Sequence, residues 1–238
     1  LKLNKIRRGA SPFFLTMKQL ESITKQGAIY VPPLFSTTIN EHIKKELLGL
    51  EWLTKKTARH EYFMSDKDRE YSYGNKGTGD ETYTSKPFTP YVATVRDLLN
   101  LMYQTEFNVC FLNKYDDQHQ HLGWHADQFD GMREDQPIFV MSFGAEREIW
   151  FKEKFQSCTK CSGIGYDDSV AVGEPCVDCK GKGEVPVTGV IDDGHKFLLK
   201  ESSLFIMPAG YQETHLHRIP KHPQPCDWRI SLTFRSFK

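Results

Sequence analysis

From Phe107 to its end the chain is a succession of short apolar, β-branched and aromatic segments: FNVCFLNKY, IFVMSFG, REIWFKEK, KFLLKE, SLFIMP and WRISLTFRSF. Turn residues separate them. Several short strands in succession predict two packed sheets, a β-sandwich or jelly roll. The series is broken once, between Gln156 and about Val187, by a glycine-rich stretch that holds four of the six cysteines. That interval reads as an insertion into the strand series.

The first third has a different character. MKQLESITKQG (Met17–Gly27) follows Thr16 with apolar residues at helical spacing and ends on a glycine stop signal, so it is expected to be helical. Ile39 to Leu53 repeats the pattern through Ile43, Leu47 and Leu50. Between these two, GAIYVPPLF reads as an extended strand broken by Pro32-Pro33. Residues 65–87 are polar and rich in Gly and Tyr, as expected of long loops or a hairpin. Thr89-Pro90 supplies the cap and first-turn chemistry for a helix through about Gln104. The expected organisation is an N-terminal helical and lid region at 1–106, a jelly-roll core at 107–238, and a module inserted at 156–187.

Composition narrows the partners. The 238 residues are 39% hydrophobic and 13% aromatic, enough for a sizeable core. Thirty-one basic and 31 acidic residues cancel, so any nucleic-acid partner has to be met by a local patch. Lys2, Lys5, Arg7 and Arg8 form a short basic arm, read as solvated. No apolar run approaches the roughly 18 residues of a membrane span, and the first residues lack the apolar core of a secretory signal. The expectation is a monomer without membrane contact in a reducing compartment, cytoplasm or nucleus.

The insertion repeats itself. Cys158 and Cys176 each open a Cys-x-x-Cys-x-Gly-x-Gly unit, CTKCSGIG and CVDCKGKG. A two-residue gap lets both thiolates of a unit reach one ion from a tight turn, and the glycines free backbone N–H groups to point at sulfur. Cys158, Cys161, Cys176 and Cys179 would complete a closed tetrahedral shell, which favours structural zinc over a redox dithiol pair. The segment from Cys158 to Gly183 resembles half of the cysteine-rich zinc domain of DnaJ-type chaperones, and nothing else in the chain does. Cys110 and Cys226 are expected to be packing residues.

A second metal site is suggested by HLGWHADQFD, in which His125 and Asp127 follow a strand-like run. A third ligand on another strand could come from ETHLHRIPKH, through His215 or His217. Two imidazoles and one carboxylate form the face used for non-haem Fe(II), with positions left for a co-substrate and O₂. Arg229, twelve residues after His217, could anchor a distal carboxylate. Arg235 lies six residues further, an even spacing that puts both arginines on one side of a strand.

At these residues the chain resembles the AlkB family of Fe(II)/2-oxoglutarate-dependent dioxygenases. The likeness runs from about Tyr71 to the end, outside the insertion, and is carried by NKYDDQHQHLGWHAD, MSFGAEREIWF, HRIP and RISLTFR. It implies a double-stranded β-helix with iron held by His125, Asp127 and His217, and leaves His215, His119 and His121 as neighbours. It also implies 2-oxoglutarate bound by Asn113, Tyr115 and Arg229, with Arg235 beside the co-substrate and the ligand Asp127. Ser231 stands where the family has Asn. The implied chemistry consumes O₂ and 2-oxoglutarate, releases succinate and CO₂, and oxidises a C–H bond. On an N-alkyl group the hydroxylated carbon then leaves as an aldehyde.

The same resemblance implies a substrate of alkylated bases in nucleic acid, DNA before RNA, extruded into the pocket. Tyr73-Gly74 matches a pair in the family's lid, Tyr83 is expected to stack on the base, and Arg59 matches a basic residue before the lid. The family's repair members carry an acidic residue two positions after the ligand Asp, where this chain has Phe129. Some members have a second lid aromatic where this chain has Ser85. Another modified base, a protein or small-molecule substrate, or a non-catalytic reader of modified nucleic acid are the alternatives. Lys152, Lys154, Lys160, Lys180 and Lys182 are expected to cluster around the insertion and extend a grip on nucleic acid.

Overall fold

The structure is a computed structural model that describes residues 27–54, 58–73, 81–127, 130–166, 174–187 and 195–238, without the side chains of 71–73 and 81. The helix expected at Met17–Gly27 and the side chains of Tyr73 and Phe129 lie outside the described residues. In chain order the elements are β1 (Ile29–Val31), α1 (Thr37–Leu48), β2 (Leu53–Thr54), β3 (His60–Ser65), β4 (Glu70–Tyr73), β5 (Glu81–Thr84), α2 (Pro90–Tyr103) and β6 (Val109–Tyr115). They continue with β7 (Leu122–His125), β8 (Ile138–Gly144), β9 (Arg147–Glu153), β10 (Phe155–Ser157) and β11 (Glu184–Pro186). The last are β12 (Lys196–Leu199), β13 (Leu204–Met207), α3 (Tyr211–Thr214), β14 (His215–Ile219) and β15 (Arg229–Arg235).

Two antiparallel sheets make the jelly roll. The larger has the order β1-β13-β8-β15-β6-β3-β2 and the smaller β12-β9-β14-β7. The strand period of two sorts side chains between two cores. On β15, Ile230, Leu232 and Phe234 point to the outer side of the large sheet, where α1 and α2 cover them with Ile43, Leu47, Val92, Val95 and Leu99. On β13, Leu204 and Ile206 join that layer, while Phe205 and Met207 point between the sheets to meet Ile149 and Phe151 of β9. Each fully buried side chain of this size contributes about 1.5–3 kcal/mol of burial free energy, so the two layers together fix the register of every long strand.

Three strands of the large sheet come from the N-terminal region expected to be mostly helices and a lid: β1, within the strand expected at GAIYVPPLF, and β2 and β3, which lie outside any expected strand. The division at residue 106 therefore cuts through one sheet, because β3 pairs along its length with β6 and β1 closes the β13 edge. The second expected helix also ends early. Gly49 caps it, and Leu53 passes into β2 with an exposed side chain. Helix α2 follows its cap chemistry, with Thr89 before it and Pro90 opening it. Residues 70–84 form the β4–β5 hairpin at their two described ends.

The insertion leaves the end of β9 through the β10–β11 ribbon, where Ser157 pairs with Glu184. Among its described residues it shows no apolar interior beyond the cysteines: the four cysteines are buried with Val185 packed beside them, whereas Ile164 is 53% and Val177 69% exposed.

Candidate active site and metal centres

The strand periodicity that fills the cores also builds a polar cavity between the sheets. Arg229, Ser231, Thr233 and Arg235 of β15 alternate with its apolar residues, so all four face inward and line the cavity. Opposite them in register on β6, Tyr115 pairs with Arg229 and Asn113 with Ser231. The small sheet supplies the other wall, with His125 of β7 directly opposite His217 of β14. The space between these walls, counted out to its open mouth, is about 350 Å³.

His125, Asp127 and His217 converge at one end. Their ligand atoms lie within 4.8 Å of one another, with Asp127 Oδ1 3.5 Å from His125 Nε2 and 4.0 Å from His217 Nε2. The Nδ1 of His125 is 2.9 Å from the Gly123 carbonyl, which makes Nδ1–H the donor and leaves the Nε2 lone pair turned to the site. The backbone N–H of Asp127 donates to Gln212 Oε1 at 2.8 Å, and Arg235 Nη2 donates to its Oδ2 at 2.7 Å. Burial disfavours the Asp127 carboxylate, but the positive surroundings led by the charge of Arg235 outweigh it and hold the group well below the usual carboxylate range. Burial, with His125 adding to it, pushes His217 down to about 3. Asp127 is thus held anionic and His217 neutral, the states that bind a divalent cation.

His215 lies on the same face of β14 but outside this cluster. Its ring stacks on Tyr211 at 4.1 Å and its Nδ1 bonds the Thr214 hydroxyl at 2.8 Å. The register across β7 and β14 selects His217 over His215.

At the other end, Arg229 is fully buried. Its Nε donates to Ser142 Oγ at 2.8 Å, its carbon centre lies 5.4 Å from the Tyr115 ring, and burial pushes its pKa down to about 10. Both terminal nitrogens of Arg229 and the Tyr115 hydroxyl are buried without a hydrogen bond to protein among the described residues. A desolvated guanidinium with two unused donors costs several kcal/mol unless an anion meets it. A carboxylate of matching planar geometry fits.

Several expected substrate residues are elsewhere. Tyr83 is 1% exposed: its ring packs edge-on against Phe111 at 5.4 Å and its hydroxyl donates to Glu61. It has no open face for a base, because the inner wall of the barrel claims it. Arg59 is buried too, with Nε 2.6 Å from Asn113 Oδ1 and Nη2 2.5 Å from Glu61 Oε1. It braces the cavity wall instead of facing substrate. Sequence reasoning missed Glu61, Ser142 and Gln212. Glu61 carried a readable signal, an acid at an inward position two residues before Phe63 in a strand-like run.

The lysines expected around the insertion divide. Lys180 and Lys182 are exposed, Lys160 lies 3.9 Å from Asp178, and Lys152 sits over the Trp124 ring at 4.8 Å on the outer face of the small sheet. Lys154 turns inward, its Nζ donating to the Gln212 carbonyl of α3 at 2.7 Å.

The four cysteines of the insertion form the second cluster. Cys158 Sγ lies 3.9 Å from Cys176 Sγ and Cys161 Sγ 3.6 Å from Cys179 Sγ, too far for disulfides and close enough to share an ion. Gly165 and Gly183 donate their N–H groups to Cys161 and Cys179 sulfur, each at 3.3 Å. Both glycines have positive φ, and a Cβ on Gly183 would stand 2.2 Å from the Gly163 carbonyl oxygen. The two repeats therefore pack backbone to backbone around the thiols, as their matching glycines require.

Comparison with known proteins follows the same lines. The family described as the 2OG-Fe(II) oxygenase superfamily matches residues 27–235. A DNA oxidative demethylase ALKBH2 from Bos taurus is 31% identical over 204 residues, covering 83% of this chain and 63% of the relative. The Homo sapiens protein of that name is 25% identical over 204 residues, covering 83% of this chain and 67% of the relative. The chain thus spans about two thirds of the length of these relatives. The solved structure of OsALKBH1 superposes with a TM-score of 0.51 at 13% identity, covering 88% of this chain and 98% of that one, which establishes a shared fold.

Proposed function

The chain belongs to the 2OG-Fe(II) oxygenase superfamily, and on that premise we propose that it oxidatively dealkylates N-alkylated bases in DNA, with 2-oxoglutarate and O₂ as co-substrates. The observation that carries the reading is the pairing, in one cavity, of a three-ligand cluster with a buried arginine whose terminal donors are unused. The likeness to proteins named DNA oxidative demethylases supports the substrate class.

In this reading His125, Asp127 and His217 hold Fe(II), the donor set suited to it. The bound iron supplies the activation of O₂ that oxidises the alkyl C–H bond. Everything else falls to the chain. Arg229 takes the distal carboxylate of 2-oxoglutarate in a charge-assisted pair, beside the Tyr115 hydroxyl and Ser231. Asn113 offers its amide to the same molecule. Arg235 keeps Asp127 anionic and fixed in direction. The walls from Val140, Ile149 and Ile219 exclude water, which strengthens each of these contacts.

The four cysteines bind a structural Zn(II) in the same proposal, supported by the sulfur distances and by the lack of an apolar core among the insertion's described residues. Their reduced state suits a reducing compartment, cytoplasm or nucleus. Among the described residues no helix is long and apolar enough to cross a membrane. The protein would act as a monomer, with exposed Lys180 and Lys182 extending its contact with the phosphate backbone.

The test is turnover on N-methylated single- and double-stranded DNA and RNA with Fe(II), 2-oxoglutarate and ascorbate, following base products by mass. The expected result is demethylation of DNA that His125→Ala abolishes. Succinate formed without any altered base would refute the substrate assignment and leave the oxygenase intact.

A further inference from the structure

Asn113 faces the cavity, but what decides which end of its amide the co-substrate meets is a chain of three residues behind it. Arg59 has only donors, and its Nε lies 2.6 Å from Asn113 Oδ1. The amide oxygen is therefore engaged toward the wall, which leaves the NH₂ group for the cavity, the polarity an anion requires. Arg59 is itself held by Glu61, at 2.5 Å, and Glu61 sits opposite Asn113 in the β3–β6 register. The second carboxylate oxygen of Glu61 accepts from the hydroxyl of Tyr83, in the middle of β5. Arg59, Glu61, Tyr83 and Asn113 are each at least nine-tenths buried, so these bonds act in a low dielectric and reinforce one another.

We propose that Arg59, Glu61 and Tyr83 are positioning residues that join the β4–β5 hairpin to the co-substrate cavity. They aim the Asn113 amide at the bound anion and tie the hairpin to that arrangement. The inference rests on reading the cavity as the 2-oxoglutarate site. Linkage is reciprocal: if the seated hairpin favours the Asn113 orientation that binds 2-oxoglutarate, then 2-oxoglutarate must favour the seated hairpin. The hairpin would be fastened most firmly when the cavity is loaded, an order of events suited to an enzyme that should close over its substrate only when able to react.

The experiment uses the full chain with Mn(II) in place of iron, so that no turnover occurs. Calorimetry gives the 2-oxoglutarate affinity, and hydrogen exchange follows the backbone amides of residues 81–84. In the wild type, 2-oxoglutarate should slow exchange in β5 about tenfold, the effect of about 1.4 kcal/mol. Tyr83→Phe keeps the ring against Phe111 and removes the hydroxyl, and should abolish that response. Arg59→Lys keeps the charge but not the two-pronged geometry, and should weaken 2-oxoglutarate about tenfold while Mn(II) alone binds as before. The relay is overturned if β5 ignores 2-oxoglutarate in the wild type or responds equally in Tyr83→Phe. It is also overturned if Mn(II) and 2-oxoglutarate affinities fall together in Arg59→Lys, the mark of a merely structural role. No 2-oxoglutarate binding by the wild type would overturn the reading of the cavity itself, whereas binding without the β5 response sinks the relay alone.

Discussion

Among the described residues two clusters of side chains could hold a metal ion, and they are built on opposite principles. In the insertion, four sulfurs face one another and backbone N–H groups point at two of them. Between the sheets, three ligands of two kinds meet at one end of an open space whose other end holds a desolvated arginine. A closed shell of four thiolates leaves no position for chemistry and suits a structural role. The open one sits in a barrel that two hydrophobic layers already hold together, so its metal is free to react. The difference teaches where stability and activity should separate.

The largest effects should come from the open cluster. His125→Ala and Asp127→Ala should both reduce turnover to background, but only Asp127→Ala leaves Arg235 buried without its carboxylate. That variant should lose about 3–5 kcal/mol of stability in denaturant unfolding, whereas His125→Ala keeps near-wild-type stability. Equal stabilities would mean that Arg235 does not depend on Asp127. At the closed cluster the pattern should invert. Cys176→Ser should expose 156–187 to limited proteolysis while the barrel still binds 2-oxoglutarate, since zinc binding and folding are one event in such modules. Loss of the whole barrel would show that the insertion is not independent of it.

Smaller effects sharpen the contrast. Arg229→Met should raise the KM for 2-oxoglutarate about 10- to 100-fold, the loss of about 1.5–3 kcal/mol for a charged hydrogen-bonded contact, with little change in the affinity for Mn(II). In the insertion, Gly183→Ala forces a Cβ against the Gly163 carbonyl, and competition with a chelator should show faster zinc loss than in the wild type. Smallest of all, reversing Lys180 and Lys182 to Glu should lower single-stranded DNA affinity several-fold and reduce its salt slope. An unchanged slope would remove the insertion from the nucleic-acid contact.

Much of this was legible in the chain, for definable reasons. The sandwich could be read because the strands from Phe107 onward are short and apolar, and the even spacing of Arg229 and Arg235 fixed their common face before any coordinates. The resemblance to AlkB-like dioxygenases is borne out by the family match and the relatives. Spacing alone could not choose between His215 and His217, since both point the same way from β14; the resemblance implies His217, and it is His217 that lies opposite His125 in the β7–β14 register. Nor did it foresee β1 and β3 joining the main sheet, because pairing partners far apart in the chain leave no local mark. Tyr83 and Arg59 were misread for a related reason. The resemblance assigns both to substrate, but a buried carboxylate, Glu61, draws both inward, and a buried acid is recognised by its partners rather than by its neighbours in sequence.

The most direct test of the two-site account is metal content, measured by elemental mass spectrometry on wild type, a His125→Ala/His217→Ala double variant and Cys176→Ser, each supplied with Zn(II) and anaerobic Fe(II) and then desalted. The account predicts that the histidine variant keeps zinc and loses iron, and that the cysteine variant keeps iron and loses zinc. Loss of both metals in either variant, or zinc that leaves with the histidines, would contradict it.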